Sequence, residues 1–162
     1  MNLLFAASFA ILFSIYLIFI KEKYRGGDYT ILIFSIIAGC LSSVISLILE
    51  LVIDSYFSKA FLKAFIQMST IEEGSKILML FIIVFRRTVS ESSYDYIKTA
   101  LLTSLSFALV ENLLYVNYYY VEDGVLVAYM RMYSAIPLHA ICGISMGYFF
   151  YLFRSKQSVE FA

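Results

Sequence analysis

The chain has 162 residues, 62% hydrophobic and 15% charged, with 12 basic and 12 acidic side chains in balance. That composition lies far from the roughly half-apolar soluble average and reads as a polytopic membrane protein. The zero net charge gives no ground for a nucleic-acid partner, and the lone histidine, His139, excludes the His-x-x-x-His zinc motif of helical metalloproteases.

Asn2 to Ile20 form an apolar run of about 19 residues, long enough for a bilayer core of roughly 30 Å. The run lacks a basic leader and a small-residue cleavage site, so it is expected to be a retained first span rather than a signal peptide. Lys21 to Asp28 read as a short polar loop broken at Gly26-Gly27. A second span is predicted from Tyr29 to Ile53, with Glu50 near its far end reaching the interface or capping a partner. After a loop from Asp54 to Ala60, a third span runs from Phe61 to Phe85, and Arg86-Arg87 close it. A fourth runs from Tyr94 to Tyr118. The stretch from Val125 to Phe153 is too long for one untilted span and is expected to break at Pro137, giving a short segment that holds Arg131 and then a helix from about Leu138. The fold class expected is therefore all-α, a membrane bundle of about five transmembrane helices with a proline break before the last. No linker or repeat divides it, so residues 1–162 are read as one domain with a motif-bearing core over residues 61–153. Cys40 and Cys142 lie in apolar runs without metal or disulfide spacing and receive no role.

Orientation follows from the loop cations. Lys21, Lys23, Arg25, Arg86, Arg87, Arg154 and Lys156 fall on one side of a five-span chain, while Lys59 and Lys63 fall on the other. The positive-inside rule then places the protein in the cell membrane with its N-terminus outside and its C-terminus in the cytoplasm. Tyr115 and Tyr118 to Tyr120 stand where an interfacial aromatic belt belongs at the other boundary.

The costly residues lie inside the spans. Glu72 and Glu73 sit near the middle of the third, where a charge costs about 2.5 to 3.5 kcal/mol on insertion scales and so calls for a partner, water or a function. Lys76 stands four residues after Glu72 and three after Glu73, within reach of either acid along one helix face, which leaves the other acid about 100° round the helix. Counting helical rise from the outer ends gives about 18 Å to Glu72, about 10 Å to Glu111 and about 21 Å to His139. Three helices thus bring acids, an amide (Asn112) and an imidazole to overlapping depth, an inventory for activating water against a carbonyl. A carboxylate in low dielectric becomes a better base, and a nearby imidazole or amide can orient water or hold an oxyanion. On the last helix Ala135, His139, Gly143 and Gly147 recur every four residues, which places the imidazole on a small face that another helix backbone can approach.

The ordered residues Glu72-Glu73-x-x-Lys76, Phe107-x-x-x-Glu111-Asn112, Arg131, Pro137-Leu138-His139-Ala140 and Gly143-x-x-Met146-Gly147-Tyr148 resemble the motifs of the PrsW-type intramembrane proteases, a family similar to the CAAX-prenyl endoproteases and bacteriocin-processing enzymes. The resemblance covers Glu72 to Tyr148, about half the chain. It implies a membrane endopeptidase that cleaves a single-pass membrane protein, such as an anti-sigma factor, in the first step of a regulated proteolysis cascade. It also implies catalytic roles for Glu72, Glu73, Glu111 and His139, with Lys76, Asn112 and Arg131 in support. The chain departs from the prenyl endoprotease pattern at Glu111, where that branch has histidine, and at Gly143, where it has a polar residue.

Two mechanisms follow. The favoured one needs no cofactor: a glutamate activates water while His139 and Asn112 stabilise the tetrahedral intermediate. In the other, Glu72, Glu73, Glu111 and His139 furnish the ligands of a divalent metal such as zinc. A different class also places acids and histidine in mid-membrane, namely a proton-coupled transporter or a non-catalytic membrane adaptor. The expected partners are the single-pass substrate and the bilayer itself.

Overall fold

The computed structural model describes residues 3–25, 27–53, 70–85, 92–116 and 123–160. These are helical almost throughout, with no strand among the described residues. Helix α1 spans Leu3–Arg25, α2 Tyr29–Ile53, α3 Glu72–Met79, α4 Ser93–Leu114, α5 Gly124–Tyr133 and α6 Ala135–Glu160. Helix α3 winds directly into a π-helical stretch, Leu80–Phe85. Among the described residues three stretches are long and apolar enough to cross a membrane: Tyr29–Val52, Ser93–Leu114 and Gly124–Lys156. Residues 54–69 lie outside the described residues, and with them the Asp54 to Ala60 loop, the start of the third span, Lys59 and Lys63. Arg86-Arg87 and the Tyr118 to Tyr120 belt lie outside them too.

Burial is inverted relative to a soluble protein. Ser35, Ser42, Ser43, Ser46, Thr99, Thr103, Ser104 and Ser106 are buried, while Phe9, Phe13, Leu49, Ile141 and Phe149 are exposed. Hydrocarbon outside exerts no drive to bury leucine, so helices associate through small residues and hydroxyls that satisfy themselves on backbone carbonyls. Thr103 shows the pattern: its Oγ1 donates to Thr99 O on its own helix at 3.0 Å and to Ser35 O on α2 at 3.1 Å.

Helix α4 is the hub, packed against α6, α2 and α1. Its contact with α6 runs along the predicted small face. A β-carbon on Gly143 would lie 2.8 Å from Ser104 Cβ, and one on Gly147 would lie 2.6 Å from Ile97 Cα. Only glycine admits so close a backbone approach, and the rows of His139, Gly143 and Gly147 set the rotation of α6 on α4.

Two sequence expectations shift. The Lys21 to Asp28 stretch is not chiefly loop, because α1 stays helical to Arg25. Asp28 then starts α2 by accepting the Thr30 amide at 2.7 Å, and hydrogen bonding from Thr30 holds its carboxyl below the usual carboxylate range. The break in the last hydrophobic stretch falls at Ser134 rather than at Pro137, which sits in the first turn of α6. The reason is local: a proline ring obstructs the carbonyl four residues earlier, here Tyr133, so the helix ends one turn before the proline and restarts where an amide hydrogen is not needed.

The ends of the bundle are chemically distinct. Lys98 at the start of α4 binds Glu22 near the end of α1 at 2.7 Å. Tyr96 lies against Tyr151 of α6, with ring centroids 6.1 Å apart. The end of α1, the start of α4 and the end of α6 therefore meet at one pole, which gathers Lys21, Lys23, Arg25, Arg154 and Lys156.

Candidate functional site

The predicted site residues come together toward the other pole, where α3, α4, α5 and α6 converge. From Lys98 to Glu111 the axis of α4 rises about 20 Å. Glu72 and Glu73 occupy the first turn of α3, and π geometry at residues 70–71 and again from Leu80 brackets this short α-helical segment. Such π turns shift side-chain direction along a helix and recur at functional sites.

Lys76 is completely buried. Its ammonium lies 2.6 Å from Glu73 Oε1 and 2.9 Å from His139 Nδ1, and 4.1 Å from the centroid of the Phe107 ring. Because an ammonium has only donors and an ionised carboxylate only acceptors, this arrangement fixes the imidazole tautomer: Nδ1 accepts from Lys76, and Nε2–H donates to Glu111 Oε2 at 2.9 Å. The imidazole is further held by Phe107, whose ring centroid lies 5.5 Å away, and by Ser104, which donates to the His139 carbonyl at 2.6 Å.

Glu111 also meets Arg131 Nη2 at 2.8 Å. Arg131 in turn donates through Nε to Asn112 Oδ1 and packs 4.1 Å over the Tyr115 ring. One polar chain therefore runs from Glu73 through Lys76, His139 and Glu111 to Arg131 and Asn112, joining α3, α6, α4 and α5. Asn112 is fully buried, with its side-chain oxygen engaged by Arg131; it braces the arginine instead of lying open to an oxyanion.

Glu72 stands apart from this chain. It is 6% exposed, yet among the described residues no donor reaches its carboxylate; Ser75 donates only to its backbone carbonyl. A carboxylate oxygen of Glu72, one of Glu73 and a ring nitrogen of His139 all lie within 4.8 Å of one another. Two carboxylates and an imidazole suit a divalent ion such as zinc. The Lys76 ammonium already engages Glu73 and His139 Nδ1, so these residues would hold a metal only with that ammonium displaced from both. Glu111, expected in the metal set, is not one of the three grouped residues. It binds the imidazole nitrogen opposite the one facing Lys76.

Sequence reading did not single out Ser104 or the contact between Lys76 and His139. Glu50, expected to reach the interface or cap a partner, takes a hydrogen bond from Ser46 at 2.9 Å. The recurring hydroxyls on α4 were the available signal for Ser104, since hydroxyls inside a span seek carbonyls on neighbouring helices.

A helical membrane bundle that sets two adjacent glutamates, Glu72 buried and Glu73 partly buried, against a histidine and a third glutamate belongs to the class of helical membrane proteins with an intramembrane carboxylate site. The comparisons narrow that class. The family model described as PrsW family intramembrane metalloprotease matches residues 27–162, and the chain belongs to that family. Among curated proteins it is similar to Protease PrsW of Oceanobacillus iheyensis, 30% identical over 95 residues that cover 59% of this chain and 41% of the relative. It is also similar to Protease PrsW of Bacillus subtilis, 33% identical over 90 residues that cover 56% of this chain and 38% of the relative. The match spans about two fifths of the length of these relatives. No solved structure matches the chain.

Proposed function

We propose that the chain is an intramembrane endopeptidase, built as one domain, that uses Glu72 to activate water against a peptide bond of a single-pass membrane protein. The observation that carries the reading is the buried Glu72 carboxylate, unbonded to any donor among the described residues and grouped with Glu73 and His139. A base must be able to take a proton, and among the described residues Glu72 meets no donor where Glu73 is bound by Lys76.

The other residues then divide the work. Glu111 and Lys76 grip opposite nitrogens of His139 and hold the ring in one plane, and Arg131, braced by Asn112, fixes Glu111. Water loses its proton to Glu72 as its oxygen attacks the scissile carbonyl. The charge developing on that carbonyl oxygen is met by the Lys76 ammonium, which has a third N–H beyond those on Glu73 and His139. Glu72 returns the proton to the leaving amine as the bond breaks. A divalent metal would be held by Glu72, Glu73 and His139 once the Lys76 ammonium had left Glu73 and the imidazole, with Glu111 orienting the ring from its other nitrogen, as carboxylates do for metal-bound histidine. Bound there, the ion would supply Lewis acidity and lower the cost of deprotonating water. Glu72 is required in either case.

An anti-sigma factor is the substrate class suggested by the family resemblance. The cation-rich pole made by α1, α4 and α6 supports placing that end in the cytoplasm and the glutamates in the outer half of the bilayer. The test is cleavage of a single-pass candidate by the purified chain in detergent, with and without a strong chelator. Cleavage abolished by chelator and restored by zinc assigns the metal; cleavage indifferent to chelator assigns the glutamate alone. Absence of cleavage for every anti-sigma-type substrate tried, by a folded chain, would count against the reading.

A further inference from the structure

Away from the glutamates, at the cation-rich pole, α1 and α4 do not close on each other completely. Between them lies a cavity of about 230 Å³ lined by Leu17, Ile18, Ile97 and Leu101, with Lys21, Tyr94 and Lys98 at its mouth. Its walls are apolar and its mouth is cationic. Leu17 is 49% exposed, so the cavity is a groove open to the side of the bundle, where the bilayer lies.

The cations at the mouth are of two kinds. Lys98 is buried and neutralised by its own acids, Glu22 at 2.7 Å and Asp95 at 2.9 Å. Lys21 and Arg25 are exposed, and neither meets an acid among the described residues. Both instead lie over the face of Tyr94, at 4.7 Å and 4.2 Å from the ring centroid. A cation held on an aromatic face keeps its charge and a fixed position while its remaining donors stay outward. Tyr24, one turn along, is 85% exposed, as an aromatic at headgroup level would be. The result is a pair of exposed cations, neither paired to an acid among the described residues, held on Tyr94, which itself lines the apolar groove.

We infer that this groove is a binding site for a phospholipid with an anionic headgroup: one acyl chain lies along Leu17, Ile18, Ile97 and Leu101, and the headgroup phosphate is held by Lys21 and Arg25. Charge complementarity selects this occupant over a neutral or zwitterionic lipid, and the apolar depth selects a lipid over free phosphate. Basic recesses between helices at the cytoplasmic boundary have this affinity as a general property, with each Lys or Arg contributing about fivefold in binding. Because the site joins α1 to the hub helix, its occupant fastens a helix whose direct packing against α2, its chain neighbour, is slight.

The experiment is native mass spectrometry and thermal unfolding of the purified full chain with phosphatidylglycerol or phosphatidylcholine. The wild-type chain is expected to hold phosphatidylglycerol about thirtyfold more tightly than phosphatidylcholine, the product of two such cations, and to unfold at higher temperature when it is bound. Lys21→Gln with Arg25→Gln, both exposed positions, should remove the preference without changing the helical circular dichroism, and the swap Lys21→Arg with Arg25→Lys should keep it. Ile97→Trp, which fills the groove, should weaken both lipids, and inorganic phosphate should not compete. Equal affinity for the two lipids in the wild type, an undiminished preference in the double Gln variant, or full competition by phosphate would each overturn the proposal.

Discussion

Among the described residues two lysines are buried, Lys76 and Lys98, and their surroundings teach why one polar cluster is a clamp and the other a candidate for chemistry. Lys98 meets two carboxylates, Glu22 and Asp95, and so ties α1 to α4. Lys76 meets one carboxylate and one imidazole, and the carboxylate beside it, Glu72, receives no donor among the described residues. Formal charge does not distinguish them. Glu22, Asp95 and Lys98 sum to minus one, and so do Glu72, Glu73, Glu111, Lys76 and Arg131. The difference is in distribution: at the clamp the cation touches both acids, while at the site the two cations sit on Glu73 and Glu111 and leave Glu72 available.

If that contrast is right, substitutions at the two clusters should fail in different ways. The largest effect is expected for Glu72→Gln and for His139→Ala, which should reduce proteolysis by about a hundredfold to ten-thousandfold, the usual worth of a general base, in a chain that still inserts and folds. Initial cleavage rates beside a thermal melt would check both halves. Next comes the clamp: Lys98→Met takes the lysine from the buried Glu22 and should destabilise by about 3 to 5 kcal/mol, with cleavage per folded molecule unchanged. Denaturation in mixed micelles reads this directly. Gly147→Val tests whether close helix approach positions the site, since its side chain would meet Ile97. A loss of about 1 to 3 kcal/mol is expected from overpacking, together with reduced activity as α6 and His139 are displaced.

Smaller effects sharpen the picture. Ser104→Ala removes a hydrogen bond to the His139 carbonyl and should cost about 0.5 to 1.5 kcal/mol, with a modest fall in rate measured at fixed folded concentration. The least effect is expected at Asp28, which is exposed. Its carboxyl lies below its ordinary range in the folded chain, so its contribution is present above the unfolded carboxylate range and is lost as pH falls through the folded value. Asp28→Ala should flatten that acidic limb of the melting curve slightly.

Much of this was legible in the sequence where the information is local. Spacing along one helix gives the Glu73 to Lys76 pair, and small residues every four positions give the face of α6 that meets α4. Counting helical rise brought Glu72, Glu111 and His139 to overlapping depth. What counting cannot supply is rotation about each helix axis, and rotation decides that Lys76 grips Nδ1 while Glu111 grips Nε2. The same limit explains Lys21 to Arg25. Charged residues after an apolar run look like loop, and nothing near Glu22 announces a partner 76 residues away. Pro137 was read as the break itself because its own missing amide is visible in sequence, whereas the obstruction it causes acts one turn earlier, at Tyr133.

The claim on which the rest depends is that Glu72, rather than its neighbour, is the free acid. Parallel cleavage assays of Glu72→Gln and Glu73→Gln on one verified single-pass substrate test it most directly. The account predicts that Glu72→Gln abolishes cleavage, while Glu73→Gln, which loses a charge partner of Lys76, keeps a measurable rate or fails through instability seen in the melt. Near wild-type cleavage by folded Glu72→Gln would contradict it.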